Sequence, residues 1–168
     1  MKQWNLYFAN LSAYVNGHLV GGWIDVLDFT NDPEGLTEAI AKATKNAEEP
    51  AIHDTEGGDL GMGENVDISG ILGRAEAIEE HGIEVVKVAM DYVFGEVDFD
   101  AINTAIERGY LGTFESAADY AEEYYEETNG ELPEMLRGCV DWEHAFLNME
   151  LREHHAGCRE VIIWDPSR

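Results

Sequence analysis

The fold is decided between residues 114 and 151, where the chain reads F-E-S-A-A-D-Y-A-E-E-Y-Y-E-E-T-N-G-E-L-P-E-M-L-R-G-C-V-D-W-E-H-A-F-L-N-M-E-L. Phe114, Ala118, Ala121 and Tyr125 recur at i, i+4, i+7 and i+11, which is one face of a 3.6-residue period and predicts a helix. A second face of this helix carries only carboxylates: Asp119, Glu122, Glu123, Glu126 and Glu127.

This row of acids is unusual for a solvated helix. No Lys or Arg lies between its members, although like charges at i and i+4 cost roughly 0.2–0.5 kcal/mol per pair. The repulsion indicates that the row serves something other than the stability of its own helix.

The rest of the stretch reads as a turn, a short helix and a longer helix. Asn129-Gly130 ends the acidic helix, and Pro133 opens the short one. Asp141 can cap the last helix. Its apolar face is formed by Trp142, Ala145, Phe146 and Met149, and its last turn is expected to hold Arg152 and His154.

The charge balance sets this chain apart from an ordinary folded protein. It has 168 residues, 45% of them hydrophobic, with 35 Asp plus Glu against 10 Lys plus Arg and a formal net charge of −25. A surface of this sign repels nucleic acid and acidic membranes. High salt, bound cations or a basic partner would compensate it.

Upstream of residue 114 the pattern alternates between strands and helices. Residues 4–10 predict a strand, Asn16-Gly17 a hairpin turn, and His18–Asp28 the returning strand. Further elements are a helix from Pro33 to about Asn46, a strand over 51–54, a glycine-rich loop over 55–65, a helix over 68–81 with Ser69 near its cap, a buried helix over 83–94, a helix over 99–109 capped by Asp98, and strands over 110–113 and 160–164.

The sequence offers little support for a metal site, a catalytic site or a membrane span. Cys139 and Cys158 are expected to be reduced thiols of a cytoplasmic protein. Together with His144, His154 and His155 they lack the paired spacing of a zinc site. His53-Asp54 is a weak acid–base candidate, and no run of about 18 apolar residues predicts a membrane span. The sequence therefore predicts neither a cofactor nor a metal.

The negative net charge excludes direct binding to nucleic acid, but it does not exclude a protein that imitates nucleic acid. Duplex DNA carries one charge per roughly 1.7 Å, so 25 surplus charges correspond to about 40 Å of duplex. That density requires an elongated fold. A halophilic protein would show the same acidic composition, and composition alone leaves the two readings equal.

Three blocks of sequence give a more specific indication. They are Y-F-A-N-L-S-A-Y-V-N-G-H-L-V-G-G-W-I-D at 7–25, A-I-H-D-T-E-G at 51–57, and D-Y-A-E-E-Y-Y-E-E-T-N-G-E-L-P-E-M-L-R-G-C-V-D-W-E-H-A-F-L-N-M-E-L at 119–151. In this order and spacing they resemble the ArdA family of antirestriction proteins, which are found on conjugative plasmids, transposons and phages.

The resemblance implies an α+β fold built as an elongated chain of three small domains. These would be an N-terminal β-sheet plus helix at 1–64, a central helical bundle at 65–108, and a C-terminal α+β domain at 109–168. It further implies a homodimer formed through the C-terminal domain, and a non-enzymatic function. The acidic dimer would occupy the DNA-binding groove of a Type I restriction–modification enzyme.

Two sets of site residues follow. The expected phosphate surrogates are Asp119, Glu122, Glu123, Glu126, Glu127, Glu131 and Glu134. The expected dimer contact, within the segment similar to the family's antirestriction motif, is Leu132, Pro133, Met135, Leu136, Val140 and Trp142. An acidic halophile-type protein or an acidic chaperone-like module that binds basic proteins is the alternative.

Overall fold

The computed structural model describes residues 3–95, 97–157 and 159–168. The chain divides into two compact units, the first ending at Thr104 and the second comprising Ala105–Arg168. Each unit has one three-stranded antiparallel sheet with helices beside it. The α+β class predicted from the sequence is therefore confirmed, while the division of the chain into three domains at 64 and 108 stays a prediction.

The first unit is built around an N-terminal sheet with strand order β2-β1-β3. Leu6 and Phe8 of β1 point to the buried face, where they contribute to a core with Trp4. The elements of this unit, with the helix that crosses its boundary, are β1 (Asn5–Asn10), α1 (Leu11–Val15), β2 (Gly21–Asp25), α2 (Pro33–Ala43), β3 (Pro50–Glu56), α3 (Ile68–His81), α4 (Ile83–Met90) and α5 (Phe99–Gly109).

The two strands pair antiparallel, as predicted, but the tight hairpin turn at Asn16-Gly17 is wrong, because a short helix separates the strands. Asn10 caps α1 by accepting a hydrogen bond from the backbone N–H of Ala13 at 3.0 Å, and Asn16-Gly17 ends this helix. β2 stops at Asp25, not Asp28, because the Asp25 carboxylate accepts from the N–H of Leu27 at 3.2 Å and starts a 3₁₀ turn.

Two helix boundaries in the first unit also differ from the prediction. α3 follows Asp67 at its N-cap position, not Ser69. α4 ends at Met90, because the N–H groups of Asp91 and Tyr92 bond to carbonyls three residues back and tighten the chain into a turn. Phe94, expected in a buried helix, is 90% exposed.

Arg74 joins three segments of the first unit from inside α3. Its Nε donates to the carbonyl of Leu60 at 2.9 Å, and its Nη1 donates to those of Gly70 at 2.8 Å and Val97 at 3.5 Å. Burial lowers the pKa of Arg74 and the charge of Asp67 raises it, burial being the larger effect. This side chain fixes the glycine-rich loop, whose Leu60 is fully buried, against the helix.

The second unit is organised by β6, the central strand of a sheet with order β4-β6-β5. Val161, Ile162, Ile163 and Trp164 are all buried, so both faces of this strand are covered, because successive side chains point to opposite faces. The elements are β4 (Tyr110–Phe114), α6 (Ala117–Asn129), a 3₁₀ turn (Glu134–Leu136), α7 (Trp142–Leu147), β5 (Arg152–Ala156) and β6 (Glu160–Trp164).

The core of this unit joins the two helices to the sheet. Tyr120 and Ala121 of α6 pack with Phe146 of α7 and with Val161 and Ile163 of β6. The ring of Tyr120 lies edge-on to that of Phe146, with their centroids 6.3 Å apart. Burial, followed by the neighbouring Tyr124, raises the pKa of Tyr120.

Two expectations for the second unit are corrected. Phe114 belongs to β4, and α6 starts only after Ser116, so that its buried face is built on Tyr120 and Ala121. Arg152 and His154 lie in β5, because α7 ends at Leu147 and the chain turns through Glu150, which has a φ of 59°.

No helix of the described residues is both long enough and apolar enough to cross a bilayer.

Replacing Arg74 by Met should lower the free energy of unfolding by about 2–4 kcal/mol, because buried carbonyls would lose their donors. Urea unfolding followed by circular dichroism measures the change. Lys42→Met removes one charge from an exposed helix position and is the matched control. Equal stability of the two variants would contradict the role assigned to Arg74.

Tyr120→Phe should reduce the loss of stability at alkaline pH. Because the folded pKa of Tyr120 is raised, the unfolded chain releases this proton first, and stability falls as the pH rises above the ordinary value near 10. Urea midpoints between about pH 9 and pH 11 measure the difference. Tyr14→Phe, at a 52% exposed position of the first unit, should behave like the wild type, and an unchanged alkaline loss in Tyr120→Phe would refute the prediction.

Candidate functional site

The acidic face predicted from the sequence lies on α6, which is well delimited at both ends. Ser116 caps the helix: its Oγ accepts from the N–H of Asp119 at 3.1 Å and donates to the Asp119 carboxylate at 2.6 Å. Gly130 ends it with a φ of 85°, a left-handed conformation that favours glycine. The acids between these caps are therefore held on a regular helix. We call the set Asp119, Glu122, Glu123, Glu126 and Glu127 the α6 carboxylate row.

The α6 carboxylate row faces away from the core of its unit. At 100° per residue its members span an arc of about 140°, with Ala121 on the opposite side of the helix and Tyr120 just outside the edge of the arc, next to Glu127. Asp119, Glu123 and Glu127 are exposed, and the other two members are half-buried. The helix thus buries its apolar side and presents its charges together.

Within the described residues no ion pair neutralises the row. From residue 109 to residue 151 the chain has 11 Asp and Glu, but Arg137 is its only Lys or Arg. The Nη2 of Arg137 lies 3.4 Å from the Glu131 carboxylate, and its Nε donates to the carbonyl of Leu132 at 3.4 Å. The only cation of this segment therefore serves the loop after α6 and not the row.

The row also opposes the electrostatics of its own helix. Three of its pairs are like charges at i and i+4, each costing roughly 0.2–0.5 kcal/mol. Glu126 and Glu127 lie in the last turn, where the helix dipole favours cations. The arrangement costs stability in the isolated protein, and a positively charged partner would recover that cost.

The structure places the two remaining predicted surrogates, Glu131 and Glu134, in the loop that follows α6. Both side chains are exposed. Glu131 pairs with Arg137, whereas Glu134 begins the 3₁₀ turn. They continue the run of acidic residues beyond the end of α6, but they lie in a loop and a 3₁₀ turn and not on the helix.

The residues predicted for the dimer contact divide into two groups. Leu132 is buried within its own unit, while Val140 and Trp142 are half-buried, with the Trp142 ring 5.7 Å from that of Tyr125. The second group is exposed: Pro133, Met135 (83%) and Leu136 (45%).

Leu147 is an exposed apolar residue that the sequence analysis did not single out. It is the last residue of α7 and is 75% exposed. A helical projection could have found it, because Leu147 falls outside the apolar face of Trp142, Ala145, Phe146 and Met149.

The weaker chemical candidates are not brought together. His154 and His155 are neighbours on β5, where successive side chains point to opposite faces. The ring of His53 packs edge-on against Tyr14 at 5.1 Å, while Asp54 accepts from the N–H of Thr55. Cys158 lies outside the described residues. Among those that are described, no three His, Cys, Asp or Glu side chains are arranged to hold a metal ion.

Comparison with protein families gives one match that covers most of the chain. The family model described as "Antirestriction protein (ArdA)" matches residues 6–160, a span that includes the α6 carboxylate row and the segment from Glu131 to Trp142. No match is found among curated proteins. The family match extends over far more than half of the 168 residues, and the chain therefore belongs to the ArdA family of antirestriction proteins.

Proposed function

We propose that this protein inhibits Type I restriction–modification enzymes by imitating DNA. Its carboxylates take the places of DNA phosphates, and the protein occupies the enzyme's DNA-binding groove, so that DNA is neither bound nor cleaved. The observation that carries the proposal is the α6 carboxylate row, which lies on a regular helix, has three of its five members exposed and forms no ion pair in the described structure.

The spacing of the row supports the comparison with DNA. From Asp119 to Glu127 the helix rises by about 12 Å, at 1.5 Å per residue. Five carboxylates therefore occupy a length over which duplex DNA carries about seven phosphates. A surface lined with Lys and Arg to bind the duplex would meet a similar linear charge density.

The energetics favour rapid binding to a basic groove. Repulsion within the row is present in the free protein and is relieved when cations surround it. Opposite fields also steer the two proteins together, which raises the association rate and makes it sensitive to salt. In this mechanism the protein acts as an inhibitor without catalysis or a cofactor, in the cytoplasm where the restriction enzyme meets incoming DNA.

We further propose that two copies associate through the exposed apolar group Pro133, Met135 and Leu136. Leu132, Val140 and Trp142, which are buried or half-buried, would pack beneath this contact. Packing these exposed apolar side chains against a partner removes apolar area from water, which favours association. A dimer would double the number of carboxylates presented to the enzyme.

Neutralising the row should weaken inhibition. With Asp119→Asn, Glu122→Gln, Glu123→Gln, Glu126→Gln and Glu127→Gln, we expect at least about a 5-fold higher inhibitory concentration, because exposed ion pairs contribute about 0.2–1 kcal/mol each. The assay measures displacement of a Type I restriction enzyme from labelled target duplex at two salt concentrations.

A control variant distinguishes the effect of the α6 carboxylate row from the effect of net charge alone. It neutralises five exposed acids of the first unit: Asp28, Glu34, Glu38, Glu48 and Glu49. The row variant should lose more potency and more salt dependence than this control. Unchanged potency of the row variant would remove the row from the mechanism, and failure of the wild type to displace the enzyme would refute DNA mimicry for this target.

The dimer contact is tested by Met135→Asp combined with Leu136→Asp. Analytical ultracentrifugation should show a dissociation constant at least about 10-fold higher, since both apolar contacts are lost and like charges face each other. Leu19→Asp, at an 82% exposed position of the first unit, should leave association unchanged. A dimer of wild-type strength in the double variant would place the contact elsewhere.

A further inference from the structure

The outer face of the N-terminal sheet, opposite the buried Leu6 and Phe8, carries an aromatic pair in which one ring is exposed and the other is half-buried. Tyr7 on β1 is paired in register with Trp23 on β2. The two rings meet edge-on with their centroids 5.4 Å apart, at an angle of 63°. Trp23 is 49% exposed, which is a large apolar area to leave in water on a folded sheet.

Gly21 allows the aromatic pair to lie close to the sheet. A Cβ atom at this position would be 2.8 Å from the hydroxyl oxygen of Tyr7 and 2.9 Å from its Cζ. The Tyr7 ring therefore lies against the backbone of β2, in space that any other residue would fill. The pair is held in place before any partner arrives.

Carboxylates stand beside this pair on the same face. Tyr7 is in register with Asp54 of β3 on the side opposite Trp23. In the next outward-facing row Asn5 lies opposite Glu56, and its Nδ2 donates to the Glu56 carboxylate at 2.9 Å. Neither Asp54 nor Glu56 forms an ion pair among the described residues.

The spacing suits a planar cation. Adjacent strands lie about 4.7–4.9 Å apart, so Asp54 is one strand away from Tyr7 and two strands away from Trp23, next to a shift of register between Tyr7 and Phe8. A guanidinium group resting on an aromatic ring could reach the neighbouring carboxylate with its N–H groups. Arginine makes both contacts at once because its donors lie in the plane that stacks.

A groove beside Asp54 also combines an aromatic ring with carboxylates. It has a volume of about 570 Å³, and its lining includes Tyr14, Asp54, Asp59 and Glu64. Tyr14 is 52% exposed. The combination of an aromatic ring with several carboxylates therefore occurs a second time next to the first.

We propose that the outer sheet face, defined by Tyr7, Trp23, Asp54 and Glu56, is a docking surface for arginine side chains of a basic DNA-binding protein. Charge complementarity favours this occupant, because residues 1–104 contain 20 Asp and Glu against 5 Lys and Arg. The aromatic pair adds a preference for arginine over lysine that a row of phosphate-like charges does not provide. The identity of the partner rests on the proposed function, but the chemistry of the surface can be tested without it.

The first test is a titration of the full chain with capped tetra-arginine and tetra-lysine peptides, followed by the indole N–H signals in NMR spectra. The Trp23 signal should shift with both peptides and saturate at about a 3-fold lower concentration of tetra-arginine, as a cation–π contact of 0.5–1 kcal/mol implies. The signals of the fully buried Trp4 and of Trp164, which is 1% exposed, serve as internal references. Asp54→Asn should raise the saturating concentration of tetra-arginine.

A Trp23 signal that does not move, or that saturates equally with the two peptides, would overturn the arginine surface. An unchanged response in Asp54→Asn would remove the carboxylate from it. Trp23 is half-exposed, so its replacement should leave the fold intact, and circular dichroism of each variant checks this.

The second test measures how much the outer sheet face contributes to displacement of the restriction enzyme from DNA. Trp23→Thr should raise the inhibitory concentration about 3-fold, Trp23→Phe should restore it, and Phe94→Ala, which removes another exposed aromatic ring, should not change it. If the wild type inhibits and Trp23→Thr inhibits equally well, the inference fails while the proposed function stands. If the wild type does not inhibit, the proposed function fails and the peptide titration still decides the inference.

Discussion

Repulsion between carboxylates is the constraint on which the rest of this structure depends. With 35 Asp and Glu against 10 Lys and Arg, ion pairing cannot balance the surface, and each unit must gain its stability from apolar packing. The first unit packs Trp4, Leu6 and Phe8 beneath its sheet, and the second packs its helices on the central strand β6. Among the described residues, the buried polar or charged side chains are Thr44 and Arg74, so that no carboxylate belongs to the buried core there.

Three of the scarce arginines form their contacts within their own units. Arg74 binds backbone carbonyls in the interior, Arg137 pairs with Glu131, and Arg168 pairs with Asp165 at 2.9 Å. None of these contacts reaches the α6 carboxylate row or the outer sheet face. Both acidic surfaces therefore keep their charge unpaired among the described residues, and in the proposed function a basic groove relieves the repulsion within them.

The two surfaces differ in what they can recognise. The α6 carboxylate row presents charges at a spacing close to that of phosphates, and either lysine or arginine satisfies it. The outer sheet face combines Asp54 and Glu56 with the rings of Tyr7 and Trp23, which favours a planar guanidinium. Both are carried by regular secondary structure, so their geometry is set before binding and little conformational entropy is lost in the complex.

The sequence by itself determined the α+β class, the acidic face of α6, the cap at Asp141, the strand at 160–164 and the family, because these depend on local periodicity, capping chemistry and motif order. Tertiary structure alone decided which apolar residues are exposed: Leu132 is buried while Met135 of the same short segment is not. It also turned Arg152 and His154 into a strand, since pairing with β6 outweighs the preference for a longer α7. The Tyr7–Trp23 pair belongs to this second group, because strand register brings together residues that are 16 positions apart in sequence.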